Sequence, residues 1–491
     1  MAKKTKNYIV IFPFLKKLIF VGHIKLKNDR KINSYNFTKG RISRGVSRIA
    51  IPSCLENVCW NLDALVEVYW IGRLGGAEYL AAVSLAFMII FFLRAVGFGF
   101  RTAGSALVAQ KIGSGDDLGA KFAAAQTILL AFIYYLCVSI LGFVFSPFLM
   151  SLLTEDAKVL SLGISYLQTS FLFFAFVDGI FTIGHQFRAS GEPRFSLYGQ
   201  LCSPIISFFS VPFFIHGFSG FSGLGLCGGA IGVGTGRLIG VSLMFFIILT
   251  GRSKISFGIK EIYPNFQLIC QIVKIGWPAA TQNLLERGSS LILLKILSIF
   301  GPVYLAAWTV GNRISLLARN PSFGIQAALR TMVGQNIGAK KFDRATDSVK
   351  FSLLVLIVLM GSIAFLLFIF AENLSKFFGL KDDLSIKVAT LCLRILSVGL
   401  FFEAIFRMIL GAFHGAANTK PPMIVEFFTR WFVQIPAAYI ISIVLAFGGS
   451  GVWFAMSGGQ ILSCVFLLLW YYFWIKKKGI GSYSILKNKE L

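Results

Sequence analysis

Charge is what this sequence has least of. Only 14% of its 491 residues are charged and just 21 are acidic, where a soluble domain carries about 25% charged residues. A chain so poor in charge cannot cover its outside with polar groups. This excludes the three or four soluble domains that the length alone would suggest at about 150 residues each. Histidine is scarce too. Its four dispersed copies argue against a metal centre and against a His-based transferase or hydrolase site. The eight cysteines (54, 59, 137, 202, 227, 270, 392, 464) lie mostly inside apolar segments, with no pair at zinc or redox spacing. They read as small apolar residues. A cytosolic enzyme, a secreted disulfide scaffold and a nucleic-acid-binding protein are thereby set aside.

What the chain has in plenty is apolar surface. Hydrophobic residues make up 56%, phenylalanine alone numbers 51, and the mean hydropathy is +0.76. Lipid must be the solvent for most of it. A helix needs about 20 mainly apolar residues to cross a bilayer. Such runs lie near 49–72, 79–105, 122–146, 161–187, 195–217 and 228–250, then near 271–298, 303–330, 350–371, 385–412, 422–447 and 450–475. The expectation is an all-α membrane protein of twelve transmembrane helices. The segment YIVIFPFL at 8–15 is too short to span, contains Pro13 and lacks a cleavage site, so it reads as interfacial rather than as a signal peptide.

The net charge of +26 is explained by position. Residues 1–48 hold thirteen Lys/Arg and one acid, Asp29, and the chain ends in Lys476, Lys477, Lys478, Lys487 and Lys489. Basic residues beside spans mark cytoplasmic loops, so both termini read as cytoplasmic and anionic lipid as a contact of the tail. Twelve spans then place Lys111, Lys121, Arg188, Arg194, Arg252, Lys254, Lys260, Lys340, Lys341, Arg344 and Lys420 inside. The outer loops keep few bases, balanced by acids. The organisation expected is a basic tail at 1–48, an N-lobe at 49–250, a connecting loop at 251–270, a C-lobe at 271–475 and a basic end at 476–491.

The two sets of six spans repeat. Tyr79-Leu80-Ala81-Ala82 recurs as Tyr304-Leu305-Ala306-Ala307, and VAQKIGSG at 108–115 recurs as VGQNIGAK at 333–340. The offset is 225 in each case, and Arg94 maps to Arg319 and Asp178 to Glu403 at that same offset. Pro52 maps to Pro278, and SGEPR at 190–194 to AANTK at 416–420, at 226. An even number of spans per half makes the repeat parallel, an arrangement found in secondary transporters.

With these motifs in register, residues 45–475 resemble the multidrug and toxic compound extrusion (MATE) family, and the NorM-like subgroup most. The resemblance implies a V-shaped pair of six-helix lobes that antiports organic solutes or drugs against Na⁺ or H⁺ across the cell (inner) membrane, with no cofactor and no enzymatic activity. A monomer is expected, with membrane lipid and a small organic solute as its contacts and no nucleic acid. A lipid-linked oligosaccharide or phospholipid flippase of the same superfamily, or an exporter of organic anions, is the alternative.

Acids inside a bilayer are costly and point to function. Seven fall within the spans: Glu56, Asp63, Glu67, Asp178, Glu286, Glu403 and Glu426. Glu286, eight residues after Pro278, resembles the family's span-7 glutamate, and Glu403 stands where its span-10 acid lies. The resemblance therefore makes Glu286 and Glu403 the coupling pair for Na⁺ or H⁺, and a place where Na⁺ would bind. Ion pairing with Arg407 and another base is the alternative. Glu67, fifteen residues after Pro52, resembles the family's span-1 aspartate, a structural pair with an arginine of the second span being the alternative. Asp63, one turn earlier, shares its face, so the two could bracket one cation. Ser207 and Val211 stand where the family's N-lobe site has Asn or Asp. Asp178, the repeat mate of Glu403, reads either as a further cation- or proton-coupling acid lining the N-lobe or as a symmetric leftover, while Glu426 is expected to pair with Arg430 at i+4. Glu56 reads as a solvated or interfacial residue.

Ten bases lie well inside the spans: Arg94, Arg101, Arg237, Arg287, Lys295, Arg313, Arg319, Arg394, Arg407 and Arg430. They outnumber the seven acids and leave the sign of the solute's charge open. Trp60, Tyr69, Gln282, Trp308 and Phe402 are expected to line its cavity. Prolines 52, 278, 321 and 436 are expected to bend their spans.

Overall fold

The computed structural model describes residues 37–478, apart from 219 and 379–381. Six helices form the N-lobe: α1 (Ile42–Gly72), α2 (Ala77–Gly113), α3 (Asp117–Ser151), α4 (Ala157–Ser190), α5 (Pro193–His216) and α6 (Leu226–Leu249). The C-lobe begins with α7 (Phe266–Ser298) and an eighth span broken into α8 (Pro302–Ala318) and α9 (Asn320–Gly338). It continues with α10 (Phe342–Ile369), the short α11 (Ala371–Phe377) and α12 (Asp383–Gly415). The eleventh span runs through α13 (Lys420–Glu426), a π-helical stretch (Phe427–Gln434), α14 (Ile435–Tyr439) and a second π-helical stretch (Ile440–Val444). α15 (Gly449–Lys478) is the twelfth. The architecture is the expected pair of six-helix lobes. A two-residue hairpin, Gly217–Phe218 against Phe221–Ser222, is the only strand pairing among the described residues.

Nine of the described helical segments are long and apolar enough to cross a membrane. The spans outside that set are the first, seventh and eighth. Their mean hydropathy is lowered by Glu56, Asp63 and Glu67, by Glu286 and Arg287, and by Arg313, Arg319 and Arg330. Of these charges, Glu56, Asp63, Glu67 and Arg330 are buried and Glu286 and Arg287 line the central cavity, whereas Arg313 is exposed. Pro52 and Pro278 sit inside the continuous helices α1 and α7, and Pro321 opens α9 beyond the break at Arg319. Pro436 lies between the two π-helical stretches, where its missing N–H interrupts the α-helical ladder.

Helices run past the expected span limits. α1 starts at Ile42, so the tail boundary at 48 falls inside it. Phe37 is buried, and Arg344 donates to the carbonyls of Phe37, Lys39 and Gly40. The interfacial reading of 8–15 lies outside the described residues. The repeated motifs at 108–115 and 333–340 are mostly helix ends rather than loops. They press together where the lobes meet. A Cβ on Gly113 would stand 1.9 Å from the Gln335 carbonyl oxygen, and one on Gly338 would stand 2.0 Å from that of Gln110. Gln110 donates to the Gly415 carbonyl at 3.2 Å and Gln335 to the Ala189 carbonyl at 2.8 Å. Each glutamine thus reaches the end of the opposite lobe's fourth helix, and the repeat's symmetry becomes a seam.

The connecting loop is fastened to the N-lobe. Gln126 donates to the carbonyls of Glu261 and Tyr263 and accepts from the Asn265 amide. Glu192 accepts from the Ser253 hydroxyl and the Lys254 amide, while burial pushes its carboxyl above the ordinary value.

Candidate functional site

Glu56, Asp63 and Glu67 follow one another at seven and four residues along α1, which places them on one buried face. Asp63 and Glu67, expected to bracket one cation, have different partners. Asp63 forms an ion pair with Arg237 of α6 and accepts from the Ser203 hydroxyl of α5 at 2.7 Å. Glu67 instead accepts from the Tyr166 hydroxyl of α4 at 2.6 Å, where an arginine of the second span was the alternative. Glu56 is 6% exposed and ion-paired with Arg188. It is neither solvated nor interfacial, because α4 runs on far enough to bring Arg188 to it. Ser207 and Val211 are both buried in α5, but Ser203, one turn earlier, is the residue that reaches Asp63.

The repeat reappears as paired charges. Asp178 of α4 takes Arg94 of α2 at 2.8 Å and Arg101 at 3.6 Å. At the offset of 225, Glu403 of α12 takes Arg319 at 3.1 Å. Each lobe therefore ties its second span to its fourth with an arginine–carboxylate pair. The sequence shows both partners and both matches, but two residues 84 positions apart give no sign that they touch.

Glu286 and Glu403 are brought together as expected, with a guanidinium between them. Arg407 lies 3.0 Å from Glu286 and 2.8 Å from Glu403, and Arg430 lies 3.2 Å from Glu426 and 3.7 Å from Glu286. Gln460 also donates to Glu403. Three glutamates and the arginines 319, 407 and 430 form one network. Between Glu286 and Glu403, where Na⁺ was expected, stands the Arg407 guanidinium, and the three arginines of the network match its three carboxylates in charge. Among the described residues, no group of three or more His, Cys, Asp or Glu converges as a metal site.

Six of the seven intramembrane acids thus hold an arginine. The exception is Glu67. It is 4% exposed and, among the described residues, has no Lys or Arg within ion-pairing distance.

Between the lobes, above the glycine seam, lies a cavity of about 870 Å³. Its charged lining comprises Arg94, Arg101, Arg188, Arg287, Arg330 and Arg407 against Glu56 and Glu286. Phe87, Met88, Phe91 and Trp60 supply apolar wall, and Gln282, Asn283 and Asn312 neutral polar groups. Trp60 and Gln282 line the cavity as expected. The other three expected residues do not. Tyr69 is 54% exposed and covered by the Arg73 guanidinium. Trp308 and Phe402 pack into C-lobe clusters. In a chain so rich in aromatics, composition does not tell a cavity face from a packed one. Arg330 stands at the limit of the expected eighth span but lies within α9, which continues eight residues beyond it.

Two six-helix bundles related by a parallel repeat, joined at one end and enclosing a polar cavity within the membrane, define an integral membrane transporter. The MatE family model matches residues 52–213 and 278–440, one segment per lobe, each opening on one of the repeat-related prolines. The chain belongs to the MatE family. It is similar to the probable multidrug resistance protein YoeA of Bacillus subtilis (strain 168), 23% identical over 447 residues, which covers 90% of this chain and 96% of that protein. The probable multidrug resistance protein NorM of Thermotoga maritima is 22% identical over 430 residues, 88% and 92% of the two chains. Among solved structures, one described as a MOP superfamily transporter from Pyrococcus furiosus Vc1 (DSM3638), whose reverse polarity of binding pocket suggests a different function, superposes with a TM-score of 0.83. It is 19% identical and covers 90% of this chain and 97% of that one.

Proposed function

We propose that this protein is an efflux transporter that exchanges an organic solute for protons by alternating access of its two lobes, with Glu67 as the coupling group. One observation carries the reading: among the described residues, Glu67 alone of the intramembrane acids has no Lys or Arg within ion-pairing distance. Burying a carboxylate without a counter-charge is expensive, and the charge can be removed by binding a proton or a cation. Tyr166 offers Glu67 a single hydroxyl, a poor set of ligands for a metal ion and a sufficient one for a carboxyl that gains and loses a proton. The acids of the C-lobe hold arginines in place and do not exchange their charge. The relatives named as multidrug resistance proteins support a drug-like solute.

The seam of Gln110, Gly113, Gln335 and Gly338 is the gate on the side of the basic loops. By the excess of basic residues in those loops, that side is the cytoplasm, both termini lie there, and the membrane is the cell membrane. The cavity then faces outward. The test is transport in proteoliposomes. Glu67→Gln should abolish uptake driven by an imposed proton gradient while sparing solute counterflow, which needs no net proton movement. A Na⁺ gradient that drives wild-type transport at uniform pH would overturn the choice of ion. Gradient-driven transport by Glu67→Gln at the wild-type rate would overturn the choice of residue.

A further inference from the structure

We infer that the central cavity holds an anion site, and that the transported solute is an amphiphilic organic anion whose carboxylate, sulfonate or phosphate head lies on Arg287 and Arg330. This rests on the efflux reading above and gives the solute its charge. Four of the six arginines that line the cavity are already neutralised. Arg94 and Arg101 share Asp178, Arg188 holds Glu56, and Arg407 holds Glu286 and Glu403. Arg287 and Arg330 have no carboxylate within ion-pairing distance among the described residues. Arg287 donates only to Asn283 on its own helix, at 3.1 Å. Arg330 is 8% exposed, meets the His185 ring nitrogen at 3.1 Å, and leaves its Nε without an acceptor. Arg101 also keeps Nε and Nη1 free of hydrogen bonds. A guanidinium stays charged at any physiological pH, so these side chains bring buried positive charge and unfilled donors to one space. An oxyanion supplies both the counter-charge and the acceptors, in two-pronged geometry where it meets a guanidinium fork.

The aromatic lining points the same way. A cationic drug would seek ring faces, but arginines already cover them. Arg94 and Arg237 lie 4.5 and 4.7 Å from the Trp60 ring centre, Arg287 and Arg407 lie 4.9 Å from Phe91 and Phe323, and Arg101 lies 5.3 Å from Phe98. The wall left uncovered, around Phe87 and Met88, suits a neutral ring system attached to the anionic head.

Two dyes on one xanthene skeleton give the test: carboxyfluorescein, an anion, and rhodamine 6G, a cation. Fluorescence anisotropy with the purified full-length protein should show carboxyfluorescein binding, weakened about tenfold or more by Arg287→Gln and by Arg330→Gln. Arg287→Lys and Arg330→Lys should keep part of it, and size-exclusion profiles identify any variant that fails to fold. Proton-driven transport should move carboxyfluorescein and leave rhodamine 6G behind. Binding of rhodamine 6G alone, or carboxyfluorescein binding unchanged in both folded Gln variants, would overturn the anion site. If rhodamine 6G is the dye pumped, the efflux reading stands and the anion site falls. If neither dye is pumped but carboxyfluorescein binding still depends on the arginines, the anion site stands and the efflux reading falls.

Discussion

Adding a single methyl group at Gly113 should pry the lobes apart on the side of the basic loops. A Cβ there stands 1.9 Å from the Gln335 carbonyl oxygen, 2.7 Å from its carbon and 2.8 Å from its Cα. All three atoms are backbone, so none can swing aside as a side chain would. Ordinary contact begins at 3.4 Å, so the seam has to widen by about 1.5 Å. Overpacking of this kind costs about 1–3 kcal/mol. Charged wholly to the closed-seam state, it shifts the closed-to-open population by about 5- to 150-fold. Gly338→Ala should do the same against Gln110, and Gly458→Ala, which meets nothing within 4 Å, serves as the control. Spin labels on the exposed Ser114 and Asp343, in a cysteine-free background, would read the separation by pulsed electron resonance. Longer distances and slower solute export are expected for both seam variants. Unchanged distances and rates in both would refute the seam as a gate.

Other outcomes follow from single contacts. Asp178→Asn strands Arg94 and Arg101 without an acid and should cost about 3–5 kcal/mol in thermal unfolding of the detergent-purified protein, part of which the double variant Arg94→Gln, Asp178→Asn restores. Gln126→Ala frees the connecting loop, so trypsin should cut more rapidly at Arg252, Lys254 and Lys260 than in wild type. Asp116 caps α3 through the Gly119 amide, and Asp116→Ala should cost about 1 kcal/mol, read as faster amide exchange over residues 117–120. The hydrogen bond from Lys111 holds the Asp116 carboxyl below its ordinary range. With the folded value below the unfolded one, its stabilisation is present at neutral pH and is lost as pH falls through that lowered value.

The fold was largely legible because lipid imposes long apolar runs and gene duplication repeats them. The 225-residue offset placed Arg94 over Arg319 and Asp178 over Glu403 before any contact was known. Less legible were the ends and the pairings. Helix hydrogen bonding does not stop where hydrophobicity does, so α1 and α9 outran their apolar runs. That extension buried Arg330, and the length of α4 carried Arg188 to Glu56. The resemblance to the family names Glu286 and Glu403, and Arg407 is legible as the i+4 partner of Glu403, but that the same guanidinium also reaches Glu286, 121 positions away, is set by packing. Glu67 was singled out for its place in the first span. What distinguishes it, that no Lys or Arg among the described residues pairs with it, is a property of its neighbours on α4 and α6 and is written nowhere in α1.

Proton coupling through Glu67 is tested most directly by counting protons. Adding transported solute to the purified protein in weakly buffered detergent solution should release protons from the wild type, as solute and proton compete, and release none from Glu67→Gln. Equal release from both proteins would contradict Glu67 as the coupling group.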